Sequence, residues 1–266
     1  METMLLLAAV FLVISTLFSM IGMGGGILYL PILLFAGYSI EKAPAISLIL
    51  ISATSLAALF TFWRNRKVDW KLALVIDPPT DIMAFIGGYC NALVPEMVLR
   101  AILVGILMVA GTMMFVNKKR PIIDQAVSDE KWWLWHRSFN GVDYTVNLPL
   151  VLTATAAIGL LSGLLGITGG LIKLPIMVLL CGVPMDIAVA TSTVMIAVTA
   201  LSGLAGHALS TQLDWRTGLI LAVVAVIGGR LGSRISIKMD KVRLKKWFGI
   251  IIWLIALRML SQLLMS

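Results

Sequence analysis

The sequence predicts an all-α polytopic membrane protein: two inverted repeats of about five helical segments each, with broken helices at the Gly-rich motifs. Three observations carry this reading. First, 60% of the 266 residues are hydrophobic and only 13% are charged, against about 25% charged in a soluble domain; mean hydropathy is +1.01. Second, the apolar residues fall in runs long enough for helices to cross lipid, and nothing alternates at period two as barrel strands would. Third, Gly22-Met23-Gly24-Gly25-Gly26-Ile27-Leu28-Tyr29-Leu30-Pro31 returns as Gly166-Ile167-Thr168-Gly169-Gly170-Leu171-Ile172-Lys173-Leu174-Pro175, with five positions identical at an offset of 144. Each glycine costs about 1 kcal/mol relative to Ala in a helix, so both copies break an apolar helix at equivalent places.

Residues 4–21 form the first segment. It lacks the basic start of a secretory signal and is read as retained. After the glycine break come 27–37, the long span 43–63, the basic loop 64–71, a span 72–93 interrupted by Asp77-Pro78-Pro79-Thr80-Asp81, and the segment 97–116. Residues 1–116 are the first transmembrane repeat. Residues 117–147 are a polar linker with Lys131-Trp132-Trp133-Leu134-Trp135-His136-Arg137, read as a cytoplasmic loop at the interface, where Trp and basic residues accumulate. The second repeat, 148–266, runs through 148–165, 171–182, 186–209, 216–235 and 244–264. Asp214-Trp215 matches Asp69-Trp70 at offset 145, so one residue is inserted just before Gly182. Gly228-Gly229 matches Gly87-Gly88.

Five segments per half is odd, so the halves should face opposite ways. Loop 64–71 carries four Lys/Arg, the linker opens with three more, and Arg234 to Lys246 carries six. Placing these loops in the cytoplasm puts both termini outside, in the cell inner (plasma) membrane. The net charge of +8 is explained by this placement and not by nucleic acid. Cys90 and Cys181 sit in apolar segments as small core residues, with no disulfide or metal role. Inverted repeats with discontinuous helices point to a secondary transporter with its site near mid-membrane.

The glycine-rich break followed by Leu-Pro, Ala190-Thr191-Ser192, the Asp-Trp pairs and the Gly-Gly of the next helix resemble the TauE/SafE sulfite exporter family over nearly the whole chain. The resemblance implies export of sulfite, sulfoacetate or related organosulfur anions from the cytoplasm. Two features depart from the pattern: the Trp-rich linker, and Asp77-Pro78-Pro79, which has no proline counterpart in the second half.

Gly24, Gly25 and Gly26, with Gly169 and Gly170, open half-helices whose free N–H groups suit an oxyanion. Lys173, three residues beyond Gly170, is an intramembrane cation; the alternatives are substrate contact, a partner in Asp77 or Asp81, or snorkelling to an interface. Its twin is Tyr29. Ser47, Thr54, Ser192 and Thr199 lie in matching places on the long spans as hydroxyl donors. Asp77 and Asp81, four apart on one face, are candidates for the coupling proton. Arg230 is a contact where an anion enters, or an interfacial anchor. His207 reads as a satisfied helix-end histidine. The glycines Gly159, Gly163, Gly166 and Gly170 also have the spacing that packs helices closely. The expected function is proton-coupled alternating-access export of an organosulfur anion. Alternatives are a channel or carrier for another small anion, or an accessory subunit docking a partner through 117–147. Two distant histidines make an enzyme unsupported. No cofactor or metal is expected; the partners are the anion and the lipid bilayer, with room for a homodimer.

Overall fold

A computed structural model describes residues 2–21, 26–115, 132–167, 169–210, 213–237 and 241–265. The chain is a polytopic helical membrane protein. The first half contains α1 (Glu2–Ile21), α2 (Gly26–Phe35), α3 (Ala43–Arg64), α4 (Trp70–Ile76), α5 (Pro78–Cys90), a 3-10 turn and α6 (Glu96–Phe115). The second contains α7 (Leu148–Leu165), α8 (Gly170–Pro175), α9 (Met185–Ser210), α10 (Trp215–Ser236) and α11 (Lys241–Met265). Among the described residues, α3, α6, α7, α9 and α10 are each long and apolar enough to cross a membrane. Lipid-facing positions such as Leu74, Ile82, Val223 and Leu254 are exposed and apolar.

The glycine breaks fall between α1 and α2 and between α7 and α8. At the second, Gly166 adopts φ +59° and closes α7, a left-handed cap that glycine accepts without strain. Its carbonyl accepts a hydrogen bond from Ser47 at 2.7 Å, tying α3 to the break. The inserted residue before Gly182 also has a structural form. Where α2 runs as a plain helix over Pro31, α8 passes after Pro175 into a π-helical turn, Ile176–Leu180. A π turn absorbs one extra residue without interrupting the helix.

The halves interlock reciprocally. The fourth segment of the first half, α5, packs on α7 and α9, the first and third segments of the second half. In turn α10 packs on α1 and α3, and α6 lies on α11. The paired glycines explain the closeness. A methyl on Gly88 would strike the backbone of Gly203, and one on Gly229 the backbone of Thr54. Gly159 and Gly163 meet the backbones of Thr80 and Ala84 in the same way, the packing role their spacing suggested.

The linker corrects the reading as a loop with no period-two alternation. Its first part lies outside the described residues. Its second part is an antiparallel hairpin, β1 (Leu134–Phe139) and β2 (Val142–Asn147), with Phe139 opposite Val142. The two-residue turn is Asn140-Gly141, at φ +51° and +75°, which matches the right-handed twist of the strands. Alternate residues face inward: Tyr144 and Val146 are buried, and Trp135, Arg137 and Phe139 are partly covered. Tyr144 and Val146 join an apolar cluster with Leu72, Ala73 and Ile76 of α4 and Met177 and Cys181 beyond α8. Burial of one face, which a solvated loop lacks, is what makes two strands stable here.

Candidate functional site

The span at 70–90 is split where the sequence places its prolines. Pro78 and Pro79 sit in the first turn of α5, where a missing N–H costs nothing; for α4 the same prolines remove two donors, so it ends after seven residues. Asp77 stands at the junction, capping both helices, and Asp81 follows one turn into α5.

The junction faces Lys173 of α8. Lys173 is 1% exposed and Asp77 is 5% exposed. The ammonium Nζ donates to Asp77 Oδ1 at 2.5 Å and to Thr199 Oγ1 of α9 at 2.9 Å. The Thr199 hydroxyl donates onward to Asp81 Oδ1 at 2.9 Å. One cation, two carboxyls and a hydroxyl thus form a connected network drawn from α5, α8 and α9. Of the roles open to Lys173, pairing with Asp77 is the one present here, and at 1% exposure the side chain does not snorkel to an interface. A charge so deeply buried is tolerated because it is paired and hydrogen-bonded. Gly169 lines the same place, where a methyl would come within 3.6 Å of Lys173 Cε.

In the first half, Tyr29 Oη lies 2.9 Å from Thr54 Oγ1. Thr54 gives its own proton to the Leu50 carbonyl at 2.8 Å, so the phenol is the donor. Phe11 meets the Tyr29 ring edge-on at 5.3 Å. Gly26 opens α2 and is buried; Gly24 and Gly25 lie outside the described residues. Gly170 opens α8. Ser47 is engaged with Gly166, and Ser192 bonds the Val189 carbonyl at 3.0 Å within its own helix. Arg230 is exposed on α10 and is not among the side chains bonded in the Lys173 network. His207 Nε2 lies 2.9 Å from the Gly163 carbonyl, a helix-to-helix bond; Nδ1 has no partner among the described residues.

A second polar knot was not among the candidates. Asp69 is fully buried at the start of α4. Its Oδ1 accepts from the backbone N–H groups of Lys71 and Leu72 at 3.1 and 3.2 Å, capping the helix. From the hairpin, Arg137 grips both carboxylate oxygens, Nη2 to Oδ1 at 2.9 Å and Nε to Oδ2 at 3.1 Å, and the Tyr144 hydroxyl also donates to Oδ2. The Asp69 N–H donates to Thr191 Oγ1 at 3.0 Å. Burial alone would raise the Asp69 carboxyl, but Arg137, Tyr144 and the Leu72 N–H hold it below the usual carboxylate range. The Arg137 guanidinium is raised in turn by Asp69. Asn140-Gly141 between alternating residues is the signal that locates this hairpin in the sequence. The counterpart Asp214 caps α10, accepting from Thr217 N–H at 3.1 Å, and has no ion pair among the described residues.

Comparison with known proteins agrees with this architecture. The chain is 28% identical over 267 residues to the probable membrane transporter protein YunE of Bacillus subtilis, covering 94% of this chain and 95% of that one. It is 25% identical over 270 residues to the probable membrane transporter protein MJ0441 of Methanocaldococcus jannaschii, covering 96% and 94%. A shorter match, 30% over 90 residues, covers 33% of this chain and 21% of Sulfite exporter TauE/SafE family protein 6 of Arabidopsis thaliana. No solved structure matches. The family model described as Sulfite exporter TauE/SafE matches residues 6–259, and the chain belongs to that family of membrane transporters.

Proposed function

We propose that this protein exports sulfite or a small organosulfonate such as sulfoacetate from the cytoplasm by proton-coupled alternating access, with Lys173 as the anion contact. The observation that carries the reading is the buried network of Lys173, Asp77, Thr199 and Asp81 at the junction of broken helices. An ammonium and a hydroxyl are apt donors for a compact anion with several equivalent oxygens. An arriving anion competes with Asp77 for the ammonium. A proton on Asp77 removes the competitor, so proton and anion load together. Asp81 shares Thr199 and offers that proton a second acceptor. The reciprocal packing of α5 and α10 supports two halves related by a pseudo-two-fold axis in the membrane plane. Rocking one half against the other then exposes the site to alternate sides. The basic loops 64–71 and 234–246 mark the cytoplasmic face in this reading.

The test is flux in liposomes holding the purified protein. Sulfite efflux should saturate, and efflux of sulfoacetate, which does not itself titrate near neutral pH, should quicken as pH falls on the loading side. Lys173→Ala should slow it about 100-fold, the loss expected when a charged hydrogen-bonding partner is removed. If sulfite, sulfoacetate and thiosulfate all fail to move through the native protein, the reading is wrong.

A further inference from the structure

We infer that the hairpin is a positioning device for Asp77, acting through α4, with Arg137 and Tyr144 as its working residues. The inference rests on the reading of Lys173 and Asp77 as the transport site. Helix α4 has seven residues, about 10 Å in length, and so short a helix does not hold itself. Its position is therefore set from outside, at its two ends and along its inner face. The N-terminal end is Asp69, and the C-terminal end is Asp77. Asp69 is gripped from the hairpin by a bidentate guanidinium and a phenol while it caps the helix. Along the inner face, Leu72, Ala73 and Ile76 pack with Tyr144 and Val146 of β2.

The same apolar cluster includes Met177 and Cys181, on the turn that continues the helix bearing Lys173. The hairpin therefore binds the start of α4 directly and shares one apolar cluster with both chain segments that carry the ion pair, and so governs how the carboxylate meets the ammonium. Facing Asp77 are Lys173 from α8, Thr199 from α9 and Asp81 from α5. Helix α7 alongside has no ionisable side chain; its Thr155 is bonded to the Ile76 carbonyl at 3.3 Å, and its buried Ser162 lies against Gly169. The counterpart helix α10 is unbroken over 22 residues and bears no acid, and Asp214 at its start has no ion-pair partner among the described residues. A clamp stands where a helix fragment carries a site carboxylate.

The experiment reads the conformation and the transport separately. In a Cys90→Ser background, alkylation of the buried Cys181 by a maleimide reports whether the hairpin holds α4, and needs no substrate. The ratio of sulfoacetate KM at pH 8 to that at pH 6, a range in which this anion does not itself titrate, reports whether Asp77 still competes for Lys173. Arg137→Ala should speed alkylation about tenfold, as loss of a buried partner raises local opening, and should bring the KM ratio toward one. Asp69→Asn, which keeps the cap acceptor and loses the charge, should do the same. Arg137→Lys should recover part of both. If Arg137→Ala fails to fold, Tyr144→Phe keeps the ring packing, removes one hydrogen bond, and should give about a threefold change in each. Unchanged alkylation overturns the clamp. Faster alkylation with the native KM ratio overturns the positioning of Asp77 and leaves a stabilising hairpin. Absence of any native flux fails the transport reading, and the alkylation result then still decides the clamp.

Discussion

Lys173 and Tyr29 occupy the same place in two copies of one motif, three residues beyond Gly170 and Gly26. Each reaches a threonine on the following long helix, Thr199 and Thr54, at 2.9 Å. The architecture thus requires a long side chain with a polar tip that bridges a broken helix to an intact one. Charge is not part of that requirement. In the first half the tip is a phenol backed by Phe11, and the helix packed alongside, α10, has no acid. In the second half the tip is an ammonium, and α5 supplies Asp77 and Asp81 across the interface between the halves. The comparison separates a structural use of the motif from a chemical one. It also explains why α5 is preceded by a break and α10 is not: an acid beside Lys173 must be desolvated and aimed, and the Pro78-Pro79 junction aims it.

The largest effect should come from removing the charge on the active side. Lys173→Met leaves Asp77 buried and unpaired, a loss of about 3–5 kcal/mol. Adding Asp77→Asn should restore much of the thermal stability, because both ends of the pair are then neutral, while sulfite flux stays lost. Thermal unfolding in detergent and liposome flux measure the two separately. Flux through the double variant would mean that the neutral half, with Tyr29, carries the anion by itself.

A smaller effect distinguishes the two acidic sites of the first half, Asp69 and the Asp77–Asp81 pair, by pH. Asp69 is held below the ordinary carboxylate range by Arg137, Tyr144 and the Leu72 N–H, against the opposing effect of burial. A carboxyl lowered on folding contributes stability that is fully present above its unfolded value, about 3.9. That stability is lost only as pH falls through the folded value, below that point. Between pH 5 and 8 the clamp is therefore constant. Hydrogen exchange of residues 134–147, corrected for intrinsic rates, should be flat over that range and should rise in acid below about pH 4. Any change between pH 6 and 8 in the KM of sulfoacetate, an anion that does not itself titrate there, then belongs to Asp77 and Asp81. Exchange that rises already at pH 6 would assign the pH dependence to the hairpin instead.

The segments and breaks were legible because they are local: glycine and proline act through their own backbone, and apolar runs declare their length. The duplicated motif made Lys173 conspicuous, and Asp77 and Asp81 followed from their spacing. Asp77 and Asp81 were both legible as partners for Lys173; which of them pairs with it was not, because the choice is made between residues 96 positions apart. The engagement of Ser47 by Gly166 is hidden for the same reason, at a separation of 119. The shift of offset from 144 to 145 showed an insertion, but not that a π turn absorbs it. The hairpin was legible in principle. Asn140-Gly141 lies between two six-residue alternating runs, and the abundance of Trp and basic residues drew the reading to the bilayer surface instead. Arg137 was the residue that composition made ordinary and position made structural.

The smallest effect sharpens the comparison from its neutral side. Tyr29→Phe keeps the ring, its edge-on contact with Phe11 and its volume, and removes the hydroxyl that bonds Thr54. Thr54 still donates to the Leu50 carbonyl, so its hydroxyl proton is not orphaned. The cost is then that of one buried hydrogen bond, about 1 kcal/mol, read as a small drop in unfolding temperature. Sulfite KM and maximal flux should match those of the native protein, because no charge is made or lost at Tyr29. A loss of flux approaching that of Lys173→Ala would show that the phenol also contacts the anion. The motif would then serve chemistry in both halves, with the ammonium only the stronger of two equivalent contacts.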